Sequence, residues 1–192
     1  MSGLRRGEIG GLRWSDIDFD RGDWGVLNIE NNMVPVTGGV EEDKPKTEKS
    51  CRTLPLTRTL HDALKKAHKV QAAEKLALGK DYRPGTHVVC DETGKSYHPD
   101  TLHDYWIAIC RKAKVSRIRL HDARHTCGTL MHLQGVPIAV IADWLGNVDN
   151  AFTMRTYVHS QNDEMFAAAR MLDGLVTNRD RTMSWATRHQ TV

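Results

Sequence analysis

The sequence predicts an α+β domain, mostly helical, with a small antiparallel β-sheet near the N-terminal third. Three observations carry that expectation. The stretches "WGVLNIEN", "MVPVTGG" and "CRTLPL" are short, apolar and β-branched, and they are separated by turn residues, as strands of a small sheet are. From Thr59 to Leu78, residues Leu60, Ala63, Leu64, Ala67 and Val70 recur at helical spacing until Gly79 stops the run. Beyond Asp100, segment after segment repeats the helical pattern.

The elements follow in order. Leu4, Ile9 and Leu12 predict a helix within residues 4–14, and "SDIDFDRGDWG" supplies the turn after it. The three strands come next, interrupted by "GGVEEDKPKTEKS", whose charge predicts a polar loop or hairpin tip. "THVVCDETGKSYHP" has room for one brief strand and a turn. Asp100 is expected to cap a helix with Leu102, Tyr105, Trp106 and Ile109 on one stripe. "LHDARHTCGTLMHLQG" reads as a helix ending at Gly135, and Pro137 then opens "PIAVIADWLG" at the position proline tolerates best. "DNAFTMRTYVHS" predicts a short helix. "NDEMFAAARMLDGLV" predicts a longer one, with Phe166, Ala169, Leu172 and Val176 on its apolar side. No repeat or linker divides the chain, so one domain over residues 1–176 is expected, followed by a basic tail, 177–192, with Arg179, Arg181 and Arg188.

Composition excludes little. A net charge of +3 permits a nucleic-acid partner without demanding one, so the placement of basic residues decides. No apolar run approaches the roughly 18 residues of a membrane span, and no membrane partner is expected. The four cysteines (Cys51, Cys90, Cys110 and Cys127) contain no C-x-x-C pair; free buried thiols in a reducing cytoplasm are expected rather than a zinc site.

The chemistry concentrates in "RLHDARHT". On a helix, His121, Arg124 and His125 stand at i, i+3 and i+4, on one face. Taken alone, that face is open to three readings: a solvated surface, a metal site, or a phosphate grip. Arg5 and Glu8 in "GLRRGE" are i, i+3 neighbours and read by default as a surface ion pair. The lysines of "KPKTEK" read as a solvated loop, and Tyr157 as a packing residue, since a phenol with a pKa of about 10 is a poor nucleophile without help.

Their order along the chain changes those readings. An arginine in "GLRRGE", lysines before "CRTLPL", then "HDARHT", "WLGN" and "TYVH" together resemble the tyrosine recombinases, the phage-integrase family, over about residues 3–160. The wording is most similar to integrases of temperate phages. That family has an arginine in a G-x-R-x-x-E context, a hairpin lysine, an H-x-x-R helix, an L-G-H/W motif and a nucleophilic tyrosine. The resemblance assigns Arg5, Lys46 (with Lys44 and Lys49 as alternatives), His121, Arg124 and Tyr157 to these slots. Asn147 stands where the family has histidine or tryptophan; it can donate a hydrogen bond but cannot shuttle a proton at neutral pH.

The activity so implied is site-specific DNA recombination. The tyrosine oxygen attacks a phosphodiester, a 3′-phosphotyrosyl bond forms, and a 5′-hydroxyl leaves; a second 5′-hydroxyl reverses the step. The bond energy is kept, so neither ATP nor a metal or other cofactor is called for, and the sequence has no G-x-x-x-x-G-K-[ST] loop. Arg5 and Arg124 would clamp the non-bridging oxygens, Lys46 would protonate the leaving oxygen, and His121 would bond the phosphate or accept the tyrosine proton. Asp122 is expected to brace its helix and Glu8 to orient Arg5. Implied partners are double-stranded DNA attachment sites, a homotetramer on DNA when full length, and a DNA-bending accessory protein, all on bacterial host DNA in the cytoplasm. The start, directly in a helix, is expected to lack the domain's first helix and the N-terminal DNA-binding domains. Two alternatives stand beside this reading: a catalytically impaired DNA-binding fragment, and a metal-dependent HD-type phosphohydrolase built on His103, His121, Asp122 and Asp143.

Overall fold

A computed structural model describes residues 2–37, 39–43, 51–83 and 85–147. All of them fall within one compact unit, Met1–Thr153. The candidates Lys44, Lys46, Lys49 and Tyr157, the two helices expected from Asp149 onward, and the expected boundary between residues 176 and 177 lie outside the described residues.

The fold is α+β and half helical, as expected. It runs α1 (Arg6–Gly11), β1 (Ile17–Asp18), β2 (Val26–Ile29), β3 (Asn32–Val36), β4 (Gly39–Asp43), β5 (Arg52–Pro55), α2 (Arg58–Leu78), α3 (Pro99–Lys112), α4 (Leu120–Leu133) and α5 (Ile138–Leu145). The strands make two antiparallel sheets rather than one: β1-β2-β5, and the hairpin β3-β4. In the first, Leu27 pairs with Leu54 and Ile29 with Arg52. Its inner face, with Leu27 and Ile29 each 1% exposed, joins Leu4, Leu12, Leu56, Leu64 and Val88 in one core.

Part of "GGVEEDKPKTEKS", expected as a polar loop or hairpin tip, is the second strand of a hairpin. Gly39–Asp43 pairs with β3, every residue of it exposed. Charge gave no strand signal because neither face of β4 is buried; backbone pairing holds it, helped by an ion pair of Glu42 with Arg13 and a hydrogen bond between Glu42 and His87 Nε2. α3 begins two residues earlier than a cap at Asp100 implies. His98 is the cap, its Nδ1 accepting from the Asp100 N–H at 3.2 Å, and Pro99 holds the first helical position. Pro137 is likewise the residue before α5, with extended ψ, rather than inside it. The cysteines are all free among the described residues, but only Cys110 and Cys127 are buried; Cys51 is exposed and Cys90 half-buried.

Two helices position the site. α1 lies flat on β3 because its inner face is glycine: a Cβ at Gly7 would collide with Asn32 and come within 2.7 Å of the Met33 carbonyl. α5 is apolar enough to plug the interior, with Ile141 at 0% and Leu145 at 1% exposure. Ile141→Ala is therefore expected to cost about 2–5 kcal/mol of unfolding free energy. Urea denaturation checks this, and a loss under about 1 kcal/mol would mean that α5 is not the interior plug described. No helix among the described residues is long and apolar enough to cross a membrane.

Candidate active site

The C-terminal end of α5 is the hub of the site. A helix end leaves carbonyls without intrahelical partners and carries partial negative charge. Here three guanidiniums answer it. Arg52 Nε donates to the Trp144 carbonyl at 2.8 Å, Arg124 Nη2 to the Leu145 carbonyl, and Arg5 Nη2 to the Gly146 carbonyl at 2.7 Å. Gly146 closes the helix in the left-handed region, at φ 63°, and turns the chain so that Asn147 follows onto the same spot.

Asn147 then links two of the candidates. Its Oδ1 accepts from Arg124 Nη2 at 3.0 Å and from Arg5 Nη2 at 3.3 Å. Two positive donors fix which end of the amide faces them. Arg5, Arg124 and Asn147, 142 residues apart at the extremes, thus meet at one oxygen atom.

Each arginine is held from behind. Arg124 is 4% exposed, and its Nη1 donates to the Gly3 carbonyl at 2.6 Å. Gly3 offers that carbonyl at φ 69°, where a Cβ would press on Leu145 and Cys127. Arg5 precedes α1. Its backbone N–H donates to Glu8 Oε2 at 2.7 Å and its Nη1 to Glu8 Oε1 at 2.8 Å. Arg6, its neighbour, pairs with Asp100 at 2.5 Å.

Glu8 is 3% exposed and serves a second arginine. Arg52 Nη1 and Nη2 meet its two oxygens at 3.0 Å each. Burial on its own would raise the Glu8 carboxyl; the bonds and charge of Arg52, then the bonds of Arg5, outweigh it and hold the group below its ordinary value. Glu8→Ala would leave Arg52, its side chain 7% exposed, without its carboxylate. Removing one partner of a buried pair typically costs about 3–5 kcal/mol, and that loss is expected here by urea denaturation; a variant within about 1 kcal/mol of the parent contradicts it. The pH trend follows from the lowered value. The stability Glu8 contributes is present above its unfolded value of about 4.3 and is lost as pH falls through the lower folded one.

His121 lies on the exposed start of α4, one turn before Arg124. Its ring stands edge-on to His125, with centroids 4.6 Å apart. Partial burial, then the charges of His125 and Arg124, lower its pKa, so the neutral ring prevails near pH 7. Asp122 reaches back to the helix start, accepting from the Arg119 N–H at 3.1 Å and from Arg119 Nε and Nη2 at 3.0 and 2.9 Å. Those bonds push its carboxyl down to about 2. Arg5 and His121 open on a cleft of about 310 Å³ that also takes in Arg6, His103 and Arg119, between Leu4 and Leu120. Its polar lining is wholly basic or imidazole, a surface suited to an anion.

Residues 1–164 match the family described as "Phage integrase family". The chain belongs to the phage integrase family. Among phage-integrase relatives, the "Tyrosine recombinase XerC-like" protein of Caldanaerobacter subterraneus is 30% identical over 167 residues, covering 82% of this chain and 43% of the relative. The "Prophage integrase IntR" of Escherichia coli is 26% identical, covering 86% and 43%. The chain therefore spans less than half the length of these relatives. The fold superposes on the Tn1549 transposon integrase in complex with transposon right end DNA, with a TM-score of 0.74 at 20% identity, covering 90% of this chain and 56% of that one. It also superposes on XerA recombinase, at a TM-score of 0.63 and 21% identity, covering 88% and 54%.

Phage-integrase membership displaces the HD-phosphohydrolase alternative. His103, His121, Asp122 and Asp143 do not assemble for it either: among the described residues, no three His, Cys, Asp or Glu side chains are grouped as a metal would need. Arg52 is the site residue that sequence reasoning missed. In sequence it is only one residue of the strand "CRTLPL". Its one signal is an arginine in register with the buried Ile29, and that requires the pairing of β2 with β5.

Proposed function

We propose that this chain is the catalytic part of a site-specific DNA recombinase. The observation that carries the reading is the convergence of the Arg5 and Arg124 guanidiniums on Asn147 Oδ1, beside the basic cleft that His121 and Arg5 share. Two forks of donors, fixed from behind by Glu8 and Gly3, suit the non-bridging oxygens of a phosphodiester, and they stay charged at any physiological pH.

On this reading Tyr157 Oη attacks the phosphorus, His121 accepts the phenolic proton or bonds the phosphate, and the P–O5′ bond breaks. The leaving 5′-oxygen takes a proton from Lys46, or from Lys44 or Lys49. Attack by another 5′-hydroxyl reverses the step. Asn147 tunes the guanidinium pair through its oxygen rather than moving a proton. The partners are double-stranded attachment sites, further copies of the full-length protein as a tetramer on DNA, and a DNA-bending accessory protein. The setting is bacterial host DNA in the cytoplasm. The relatives named integrases and the DNA complex of the Tn1549 enzyme support DNA as the substrate class.

The test is a nicked suicide duplex carrying the cognate core site, incubated with the full-length protein in excess EDTA and run on a denaturing gel. A covalent protein–DNA adduct is the expected result. Phosphate binding with strong salt dependence but no adduct would favour the impaired DNA-binding alternative. The pH profile adds a second check. Because the folded pKa of His121 lies below its ordinary value of about 6.5, the adduct rate is expected to hold from neutral pH down to that value and to fall only below it. That acid limb is expected to disappear in His121→Gln; its persistence there contradicts the assigned role.

A further inference from the structure

We infer that Arg52 is a positioning residue of this site: it occupies the Glu8 carboxylate so that Arg5 stays available to the phosphate, and it locks the α5 terminus that gathers Arg5 and Arg124. The inference rests on the recombinase reading above and names a residue that reading does not use.

The geometry is that of a shared anion. Glu8 has two oxygens, and Arg52 takes both, Nη1 on Oε1 and Nη2 on Oε2 at 3.0 Å each. Arg5 donates only one side-chain bond to the same carboxylate, Nη1 to Oε1 at 2.8 Å, while its Nη2 reaches to the α5 end instead. One buried negative charge is thus divided between two guanidiniums. Without Arg52, Glu8 Oε2 would keep only the Arg5 backbone N–H and could accept a second bond from the Arg5 guanidinium, giving the two-pronged grip that arginine prefers with carboxylate and drawing Arg5 away from a phosphate.

The third contact of Arg52 links this pair to the other arginine. Its Nε bonds the Trp144 carbonyl at 2.8 Å, one residue before the Leu145 carbonyl that holds Arg124. Gly146 packs directly on its guanidinium: a Cβ there would lie 2.7 Å from Arg52 Nη1 and 3.0 Å from Cζ. The Leu-Gly step is therefore shaped around Arg52 as well as around the helix end. Arg52 also opens β5, immediately after the segment that holds Lys44, Lys46 and Lys49, and pairs with Ile29. A lysine in its place would carry the charge but could not span Glu8 and the Trp144 carbonyl with a planar fork.

A double-mutant cycle separates positioning from support. Single-turnover adduct rates at saturating DNA would be measured for Arg52→Lys and Arg52→Met, each in the parent and in an Arg5→Lys background. The DNA is a set of nicked duplexes tiled across the attachment junctions. Arg52→Lys is expected to lose about 10²-fold in rate in the parent, with DNA affinity unchanged, and only about twofold once Arg5 is already lysine. In parallel, the Nε–Hε resonance of Arg5 is expected to move or broaden in folded Arg52→Lys without DNA. Equal losses in both backgrounds, or an Arg5 resonance that stays put, would overturn the inference. A parent protein that forms no adduct while the Arg5 resonance still responds to Arg52→Lys would sink the recombinase reading and leave the positioning contact supported. If Arg52→Met does not fold, the lysine variant carries both readouts.

Discussion

Arg124→Ala is expected to lower the single-turnover rate of DNA cleavage by about 10²–10³-fold, the usual consequence of removing one preorganised donor from a charged transition state. The physical reason is double. Arg124 supplies a permanently charged fork next to Arg5, and it is also a tie between three segments: the Gly3 carbonyl, the Leu145 carbonyl and Asn147 Oδ1 all take hydrogen bonds from it. Truncation leaves those acceptors without it inside the fold, at a cost of about 1–3 kcal/mol for each that water does not reach. Arg124→Lys retains one charge but offers a single ammonium for three acceptors arranged around a plane, so it is expected to recover stability better than rate. The rate is read on nicked duplexes, the stability by urea denaturation. An Arg124→Lys variant cleaving within about twofold of the parent would contradict a fork-based clamp.

How much of this was legible in the sequence depends on the range of the interaction involved. Periodicity is local, and it located α2, α4 and the strands β2, β3 and β5, whereas the two-residue β1 lies in the stretch read as a turn. "RLHDARHT" does form the start of α4, with His121 and Arg124 one turn apart and Asp122 bonded back to Arg119, because spacing and capping are both local properties. β4 escaped detection because its residues face water on both sides, and apolar alternation exists only where one face is buried. The division into two sheets is a matter of pairing, which composition does not encode.

The hub at the α5 end was the least legible part. A helix terminus attracts cations through backbone carbonyls, which every residue carries alike, so no side-chain motif marks it. "WLGN" reads as a motif only by resemblance; its physical content is three carbonyls, a left-handed glycine pressed on Arg52, and an amide oxygen that two arginines share. In sequence, Asn147 stands in a slot for histidine or tryptophan, as a hydrogen-bond donor that cannot shuttle a proton. In the structure its oxygen faces Arg5 and Arg124, so its chemistry there is that of an acceptor that holds guanidiniums in place.

The central claim is that this arginine pair serves an attack by Tyr157 on DNA. The most direct measurement is covalent capture on a nicked suicide duplex, followed by digestion and mass mapping of the nucleotide-bearing peptide, in the parent and in Tyr157→Phe. A phenylalanine keeps the ring and removes only the attacking oxygen, so the substitution isolates the chemistry from the packing. The account predicts a peptide from the parent modified at Tyr157 and no adduct at all from Tyr157→Phe. An adduct that persists in the phenylalanine variant, or a modified residue elsewhere in the chain, would contradict it.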